Sequence, residues 1–314
     1  MLDAKNKQIL QCLFENGRMP VSEIAKKSNT SKDVVSYRLT KLQENNILLN
    51  VVPVINYPLL GYNTYRLQLN FTPEGEKIIN ELIKYFSKLN HVSWITKLDG
   101  NWELVILFLC KNVNDFNAVF EKIMIEKGKI IQNKRFTIVT SITHMSPQYL
   151  LDSPKIRYKV TEIKNSNQKI TETEKKLLTA LLKNGRTPVI KLGKQINMST
   201  TATVNALKNL TKKGIIINFK PILNIHKLGY DHFRIMIELT NPNDKKLIKE
   251  TLSLNKYVVY TTDSLGEYDI EFEAECKSIS EMNSIIKNLK LKFNIKNIEM
   301  IFNNEEVLVN KIPK

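Results

Sequence analysis

The chain has 314 residues, 42% of them apolar, and a formal net charge of +16. That length holds two to four small domains, and no apolar run approaches the ~18–20 residues of a membrane span. The start, Met1-Leu2-Asp3-Ala4-Lys5, has charges where a secretion signal would be apolar, so a cytoplasmic protein is expected, and three scattered cysteines (Cys12, Cys110, Cys276) with only four histidines argue against a disulfide framework or structural metal.

Residues 4–16 place Ile9, Leu10 and Leu13 on one helical face, and Asn16-Gly17 ends the helix. Pro20 suits the first turn of a second helix that buries Val21, Ile24 and Ala25. Ser28-Asn29-Thr30 is a turn, and Ser31 is an N-cap for a third helix with Val35, Leu39 and Leu42 inward. This is the helix-turn-helix plan. Ile47–Pro53 adds a short strand, giving a winged module over 1–55. The outward face of the third helix carries Lys32, Asp33, Ser36, Tyr37 and Lys41. Amines and hydroxyls in that position suit phosphates and base edges, and Ser31 starts the same helix. Arg38, beside Leu39, either reaches a phosphate or closes a surface ion pair.

Over 60–150, Tyr65, Leu67, Leu69 and Phe71 alternate with polar residues as a half-buried strand. A helix opens at Pro73, and Asp99-Gly100-Asn101 joins two strands as a hairpin. A helix with Phe116 and Ile123 and a last strand with Phe136 and Ile138 complete a βαββαβ order, the ferredoxin-like arrangement. The strand Trp102–Leu109 is apolar on both faces. The sheet face away from the helices must therefore be covered, most economically by a second such sheet from the tandem copy or another chain.

The chain then repeats. Shifted by 168 residues, residues 3–72 lie over 171–240 with about 22 identities in 70 positions. Asn16-Gly17-Arg18 falls on Asn184-Gly185-Arg186, and Arg66 falls on Arg234. A polar linker over 151–170 is expected, with Asp152-Ser153-Pro154 and Lys164–Gln168 as its signals. A second winged module over 171–223 and a second βαββαβ domain over 228–314 follow. The fold class is thus α+β: two winged helix-turn-helix modules alternating with two ferredoxin-like effector-type domains. The second reader helix, capped by Ser199, offers Thr200, Thr201, Asn205 and Asn209, with Lys208 and Lys212 beside them. Asn205 suits adenine. Residues 1–50 carry +3, 151–170 carry +3 and 171–218 carry +7, so most of the positive charge lies where a nucleic-acid footprint belongs. In the second domain Asp269, Glu271, Glu273 and Glu275 form an acidic ladder suited to water or a basic partner, and Arg234 on the neighbouring strand could offset part of it.

Both halves resemble the leucine-responsive/asparagine-operon (Lrp/AsnC) regulators. The resemblance is carried by Leu2-Asp3, Ile9-Leu10, Gly17-Arg18, Ile24-Ala25, Ser31, Val35, Arg38-Leu39, Leu42, Ile47 and Leu60-Gly61. In the second half it is carried by Leu177-Leu178, Gly185-Arg186, Leu192-Gly193, Ser199, Leu207, Leu210, Gly214-Ile215 and Leu228-Gly229. It implies a sequence-specific regulator of double-stranded DNA, with two fused copies acting as an intrachain pseudo-dimer and assembling further. It also implies a small-molecule effector such as an amino acid near the central hairpins, at Asp99, Gly100, Asn101, Gly266, Glu267 and Asp269. The sequence departs from the family in Asn46 where Gly is usual, in Ala206 where Arg is usual, and in the altered hairpin Gly100-Asn101-Trp102-Glu103.

Two other readings are carried. Proteins similar to this family decarboxylate siroheme with a His/Arg/Tyr cluster around the central strands. Here Val92–Leu98 and Val258–Asp263 lack such a His or Arg, with His91 and Tyr260 at their edges. The other reading is an interaction protein that binds no DNA. No catalytic site and no metal site are expected.

Overall fold

The structure is a computed structural model that describes residues 2–151, 155–160, 168–308 and 312–313. The linker signals at 152–154 and 164–167 lie outside the described residues.

The first module consists of α1 (Ala4–Glu15), α2 (Val21–Lys27) and α3 (Lys32–Glu44), followed by strand β1 (Leu48–Ile55). Asp3 caps α1 by accepting from the Asn6 amide, and Ser31 caps α3 by accepting from the Val34 amide. Pro20 sits at the N-cap of α2 rather than inside it. The second module repeats the plan with α7 (Glu172–Lys183), α8 (Val189–Ile196), α9 (Thr200–Lys212) and β7 (Ile216–Leu223). Thr171 and Glu174 cap each other's backbone amides at the start of α7. The departure at Asn46 is explained by its backbone: Asn46 has φ 52° and Gly214, its counterpart, φ 71°. Asn is the commonest side-chain-bearing residue to accept that conformation.

The two modules are one body. Ile9, Leu13, Ile24, Val35 and Leu42 share a core with Leu177, Leu181, Leu192, Leu210 and Ile215. β1 and β7 pair antiparallel, with Val51 opposite Pro221 and Pro53 opposite Phe219.

Each βαββαβ domain forms as expected. The first comprises β2 (Asn63–Phe71), α4 (Pro73–Lys77), α5 (Ile79–Lys88), β3 (Val92–Asp99), β4 (Leu104–Cys110), α6 (Val113–Lys127) and β5 (Ile131–Met145). The helix expected after Pro73 breaks at Ile78, which has non-helical φ and ψ. A short strand β6 (Arg157–Val160) pairs with the end of β5, so the supposed polar linker contains an ordered strand. The second domain comprises β8 (Asp231–Leu239), α10 (Lys245–Leu254), β9 (Val258–Leu265), β10 (Ile270–Cys276), α11 (Ile279–Lys292) and β11 (Ile295–Leu308).

The two sheets cover one another within the chain. Strand order runs β5-β2-β4-β3-β11-β8-β10-β9, and β9 pairs back onto β5. The result is a closed eight-stranded antiparallel barrel with the helices outside it. Tyr65, Leu67, Leu104, Ile106 and Phe108 face α5 and α6, while Phe233, Ile235, Ile270 and Phe272 face α10 and α11. Alternation then turns Arg66, Gln68, Val105 and Leu107, and Arg234, Glu271 and Glu273, into the lumen. Leu98, Trp102, Val105, Met236, Tyr268 and Ile301 fill one end of it.

Candidate nucleic-acid interface and barrel lumen

The reader helices are held at equivalent places on the fused module pair, with their predicted faces outward. Ser31, Lys32, Ser36, Tyr37 and Lys41 are exposed, as are Thr200, Thr201, Asn205, Lys208 and Lys212. Tyr37 stands out at 64% exposure, a large aromatic left in solvent at the centre of the α3 face. The side chains are not equally free. Arg38 is half-buried and closes the ion-pair option: it donates to Asp3 at 2.6 Å and to Asn6 at 3.1 Å, tying α3 to the start of α1. Lys41 pairs with Glu44 at 2.8 Å. Asn209 donates to Glu174 at 2.7 Å, so its side chain ties α9 to α7.

The charge expected in the linker is partly used elsewhere. Lys155 donates to the carbonyl of Asn255 at 2.6 Å, and Arg157 to that of Ser253 at 2.9 Å. Burial, with Arg157 nearby, brings the Lys155 amine down to about 8.

The hairpin residues meet at a seam between the two domains. Arg135 on β5 pairs with Glu267 at 2.9 Å and with Glu299 at 2.6 Å, and its guanidinium lies 4.7 Å from the Trp102 ring and 5.2 Å from that of Tyr268. Asp269 accepts from the Leu239 amide at 2.7 Å, and Asp99 accepts from Asn304 at 2.9 Å. Gly100 has φ 126° with open space where a Cβ would stand, which suits a tight turn; Asn101 beside it is exposed, and Gly266 lies over Thr137. The structure thus brings Glu267 together with Arg135, while Asp99 is engaged by Asn304.

The lumen holds what the sequence reading placed least well. The acidic ladder found its basic partner inside the barrel. Glu271 accepts from Arg66 of the first domain and, at 2.7 Å, from Arg234 of its own. Arg234 also reaches Glu273 at 3.0 Å, and His232 lies 2.7 Å from Glu273. All five side chains are buried. Toward the wings the lumen gathers His144, Tyr158, Tyr260, Lys220 and Glu306. Burial pushes His144 well below its usual range, with Lys220 adding to the effect. Two signals could have located this cluster. Arg66 and Arg234 are identical across the repeat on the strand face away from the helices, and Lys220 interrupts a wing strand at an inward position.

These observations define a class: a paired winged helix-turn-helix body on a barrel of two ferredoxin-like halves. A family model described as "Winged helix-turn-helix DNA-binding" matches residues 2–48 and 170–217. An uncharacterized HTH-type transcriptional regulator of Pyrococcus abyssi is 29% identical over 120 residues, covering 38% of this chain and 82% of its own. The HTH-type transcriptional regulator FL11 of Pyrococcus furiosus is 23% identical over 125 residues, 39% of this chain and 80% of its own. Among solved structures, the siroheme decarboxylase NirDL overlays 98% of this chain and 93% of its own at TM-score 0.65 and 13% identity, a likeness of fold. The chain carries two winged helix-turn-helix DNA-binding modules, each followed by a βαββαβ domain. Among the described residues no helix is long and apolar enough to cross a membrane.

Proposed function

We propose that the protein is a sequence-specific DNA-binding transcription regulator in which one polypeptide presents two unlike reader helices to successive major grooves. The observation that carries this reading is the fusion of both winged modules through one core and the β1–β7 ladder, with the α3 and α9 faces left outward. A dimeric regulator with equal halves reads a near-palindrome. Here Lys32, Ser36 and Tyr37 stand on one helix and Thr200, Thr201 and Asn205 on the other, so the half-sites differ. Selection of bound duplexes from a random pool is expected to return an asymmetric site of two segments about one helical turn apart. A symmetric site, or no enrichment at physiological salt, would overturn it. An amino-acid effector at the Gly266 tip, where Arg135 and Glu267 offer both charges it needs, is part of the proposal. Further assembly of copies is another part: Ile125 on α6 and Leu291 on α11 are equivalent and exposed, and sedimentation of Ile125→Glu against the unmodified chain tests it.

A second reading, a siroheme-processing enzyme, is favoured by one observation: the lumen gathers Tyr260 from an anticipated strand with His144, His232 and Arg234 from others. Incubation with siroheme tests it, and no Soret band in the recovered protein dismisses it.

A further inference from the structure

We propose that the barrel mouth beneath the wings is a binding site for a small carboxylic acid with an apolar body.

The site follows from alternation in the wing strands. Val51 and Ile55 of β1 and Phe219 of β7 face the helix-turn-helix core. Their neighbours Val52, Val54 and Lys220 face the other way, onto the barrel. Between wings and barrel lies a cavity of about 210 Å³, walled by Val52, Val54, Leu107, Leu109, Val139 and Ile142. A second cavity of about 470 Å³ shares His144, Lys220, Tyr260 and Glu306 with it. An eight-stranded barrel is just wide enough to be filled by side chains or to hold one small ligand. This one is filled at the Trp102 end and roomy at the wing end.

Lys220 defines the ligand's polar end. Its residue is 8% exposed, its amine donates to the Tyr260 hydroxyl at 2.5 Å, and it lies 4.9 Å from the ring centroid. Among the described residues no carboxylate lies within ion-pair distance of it. Glu306, Glu273 and Glu275 act on it only from beyond that distance, and a buried ammonium with no carboxylate in direct contact is costly. The two carboxylates deepest in the lumen are already engaged, Glu271 by Arg66 and Arg234 and Glu273 by Arg234 and His232. Nε of Arg66, Nε of Arg234 and Nδ1 of His144 find no hydrogen-bond partner among the described residues. Two unpartnered guanidinium N–H groups and an unpartnered imidazole nitrogen, beside apolar walls, match an acid whose carboxylate meets Lys220 and whose body fills the valine and leucine end. Glu306 also lines the cavity, with no ion pair among the described residues, and it suits a hydroxyl or ammonium next to the carboxylate. A plain acid and its 2-amino derivative therefore fall in one class.

The same cavity touches both wings, through Val52 and Val54 of the first and Lys220 of the second. Occupancy is thereby linked to how the two modules sit on the barrel. That linkage rests on the regulator reading; the binding itself does not.

The test uses the full chain without DNA. Trp94 lines the cavity, so its fluorescence, with calorimetry alongside, reports titrations with 4-methylpentanoate, leucine, 4-methylpentan-1-ol and 4-methylpentan-1-amine. One or both acids are expected to bind at least tenfold more tightly than the alcohol and the amine. Lys220→Met, of similar volume, is expected to lose at least tenfold of that affinity. Leu107→Phe, which leaves Lys220 in place and narrows the apolar end, is expected to weaken it too. Three results would overturn the proposal: no acid binding at 10 mM, an amine tighter than the acids, or acid affinity unchanged in Lys220→Met. Binding of siroheme but of neither small acid would likewise overturn it.

Discussion

The amide of Gly17 donates to the carbonyl of Phe219 at 2.8 Å, and its repeat partner Gly185 donates to that of Val51 at 2.6 Å. Each module thus hands its first turn to the wing of the other. The arginines that follow complete the exchange, Arg18 reaching the carbonyls of Gly185 and Thr187, and Arg186 those of Gly17 and Met19. A Cβ at Gly17 would lie 2.7 Å from the Phe219 oxygen, and one at Gly185 2.7 Å from the Val51 oxygen. Backbone cannot yield as a side-chain tip can. Gly17→Ala and Gly185→Ala are each expected to destabilise the paired modules by about 1–3 kcal/mol, read as a lower urea midpoint, while Gly100→Ala, with open space around it, costs only backbone strain at one turn.

The Arg66–Glu271 pair joins the two domains inside the barrel. Removing one partner of a buried pair leaves an uncompensated charge and costs about 3–5 kcal/mol, whereas replacing both with apolar groups of similar volume is often neutral. Glu271 also serves Arg234, so Glu271→Leu strands the Arg66 guanidinium and leaves Arg234 with Glu273 alone, whereas Arg66→Met strands no charge. Calorimetric melting is expected to show Glu271→Leu well below Arg66→Met, with both below the unmodified chain.

Most of the fold was legible because two periodicities ran uninterrupted. Ile9, Leu13, Val35 and Leu42 marked helices, and the alternation of Tyr65, Leu67, Leu69 and Phe71 marked the strand β2 at Asn63–Phe71. The apolar second face of β4 correctly required a covering sheet. What could not be read was barrel closure, since β9 onto β5 and β3 onto β11 are pairings between distant segments with no local signal. The candidate site divided the same way. Exposed reader residues follow from helical phase, so Lys32, Tyr37 and Asn205 were placed by the sequence. Arg38, Asn209 and Lys155 were not, because their partners Asp3, Glu174 and Asn255 lie on other elements. The lumen cluster was legible only in part, with Arg234 set beside the acidic ladder, because the rest gathers Lys220 from a wing and His232 from a barrel strand.

His232 and Glu273 make part of the stability depend on pH. Burial alone would lower the imidazole, but the hydrogen bond and charge of Glu273, with Glu275 and Glu306 beyond, hold it above its usual 6.5. A raised folded value means the proton is held more tightly when folded. That contribution is therefore complete below pH 6.5 and is lost as pH rises through the folded value. Burial would raise Glu273, yet Arg234 and His232 hold it well below the carboxylate range. Its contribution is present above about pH 4.5 and is lost on acidification. The melting temperature is expected to fall on the alkaline side of 6.5, and His232→Gln to flatten that limb. An unchanged alkaline limb in the variant would show that the imidazole carries no such linkage.

The fusion separates two kinds of reader residue that a symmetric dimer would average. Lys32 on α3 and Lys208 on α9 are exposed amines, and neither is engaged in an ion pair among the described residues. Removing either by substitution to Ala should weaken all duplex sequences alike and reduce the slope of log affinity against log salt by about one. Tyr37 and Asn205 carry no charge, so Tyr37→Ala and Asn205→Ala should leave the salt slope alone and relax sequence preference. Each should do so in its own half of the site, with a change of about 1–3 kcal/mol for a lost bidentate contact by Asn205. Arg38→Ala provides the control: its guanidinium is already held by Asp3 and Asn6, so the salt slope should not move. Binding titrations at four salt concentrations on the selected duplex, with each half-site scrambled in turn, measure all of these together. If Asn205→Ala relaxed both halves equally, the two helices would not be reading separate segments, and the asymmetric arrangement would fail.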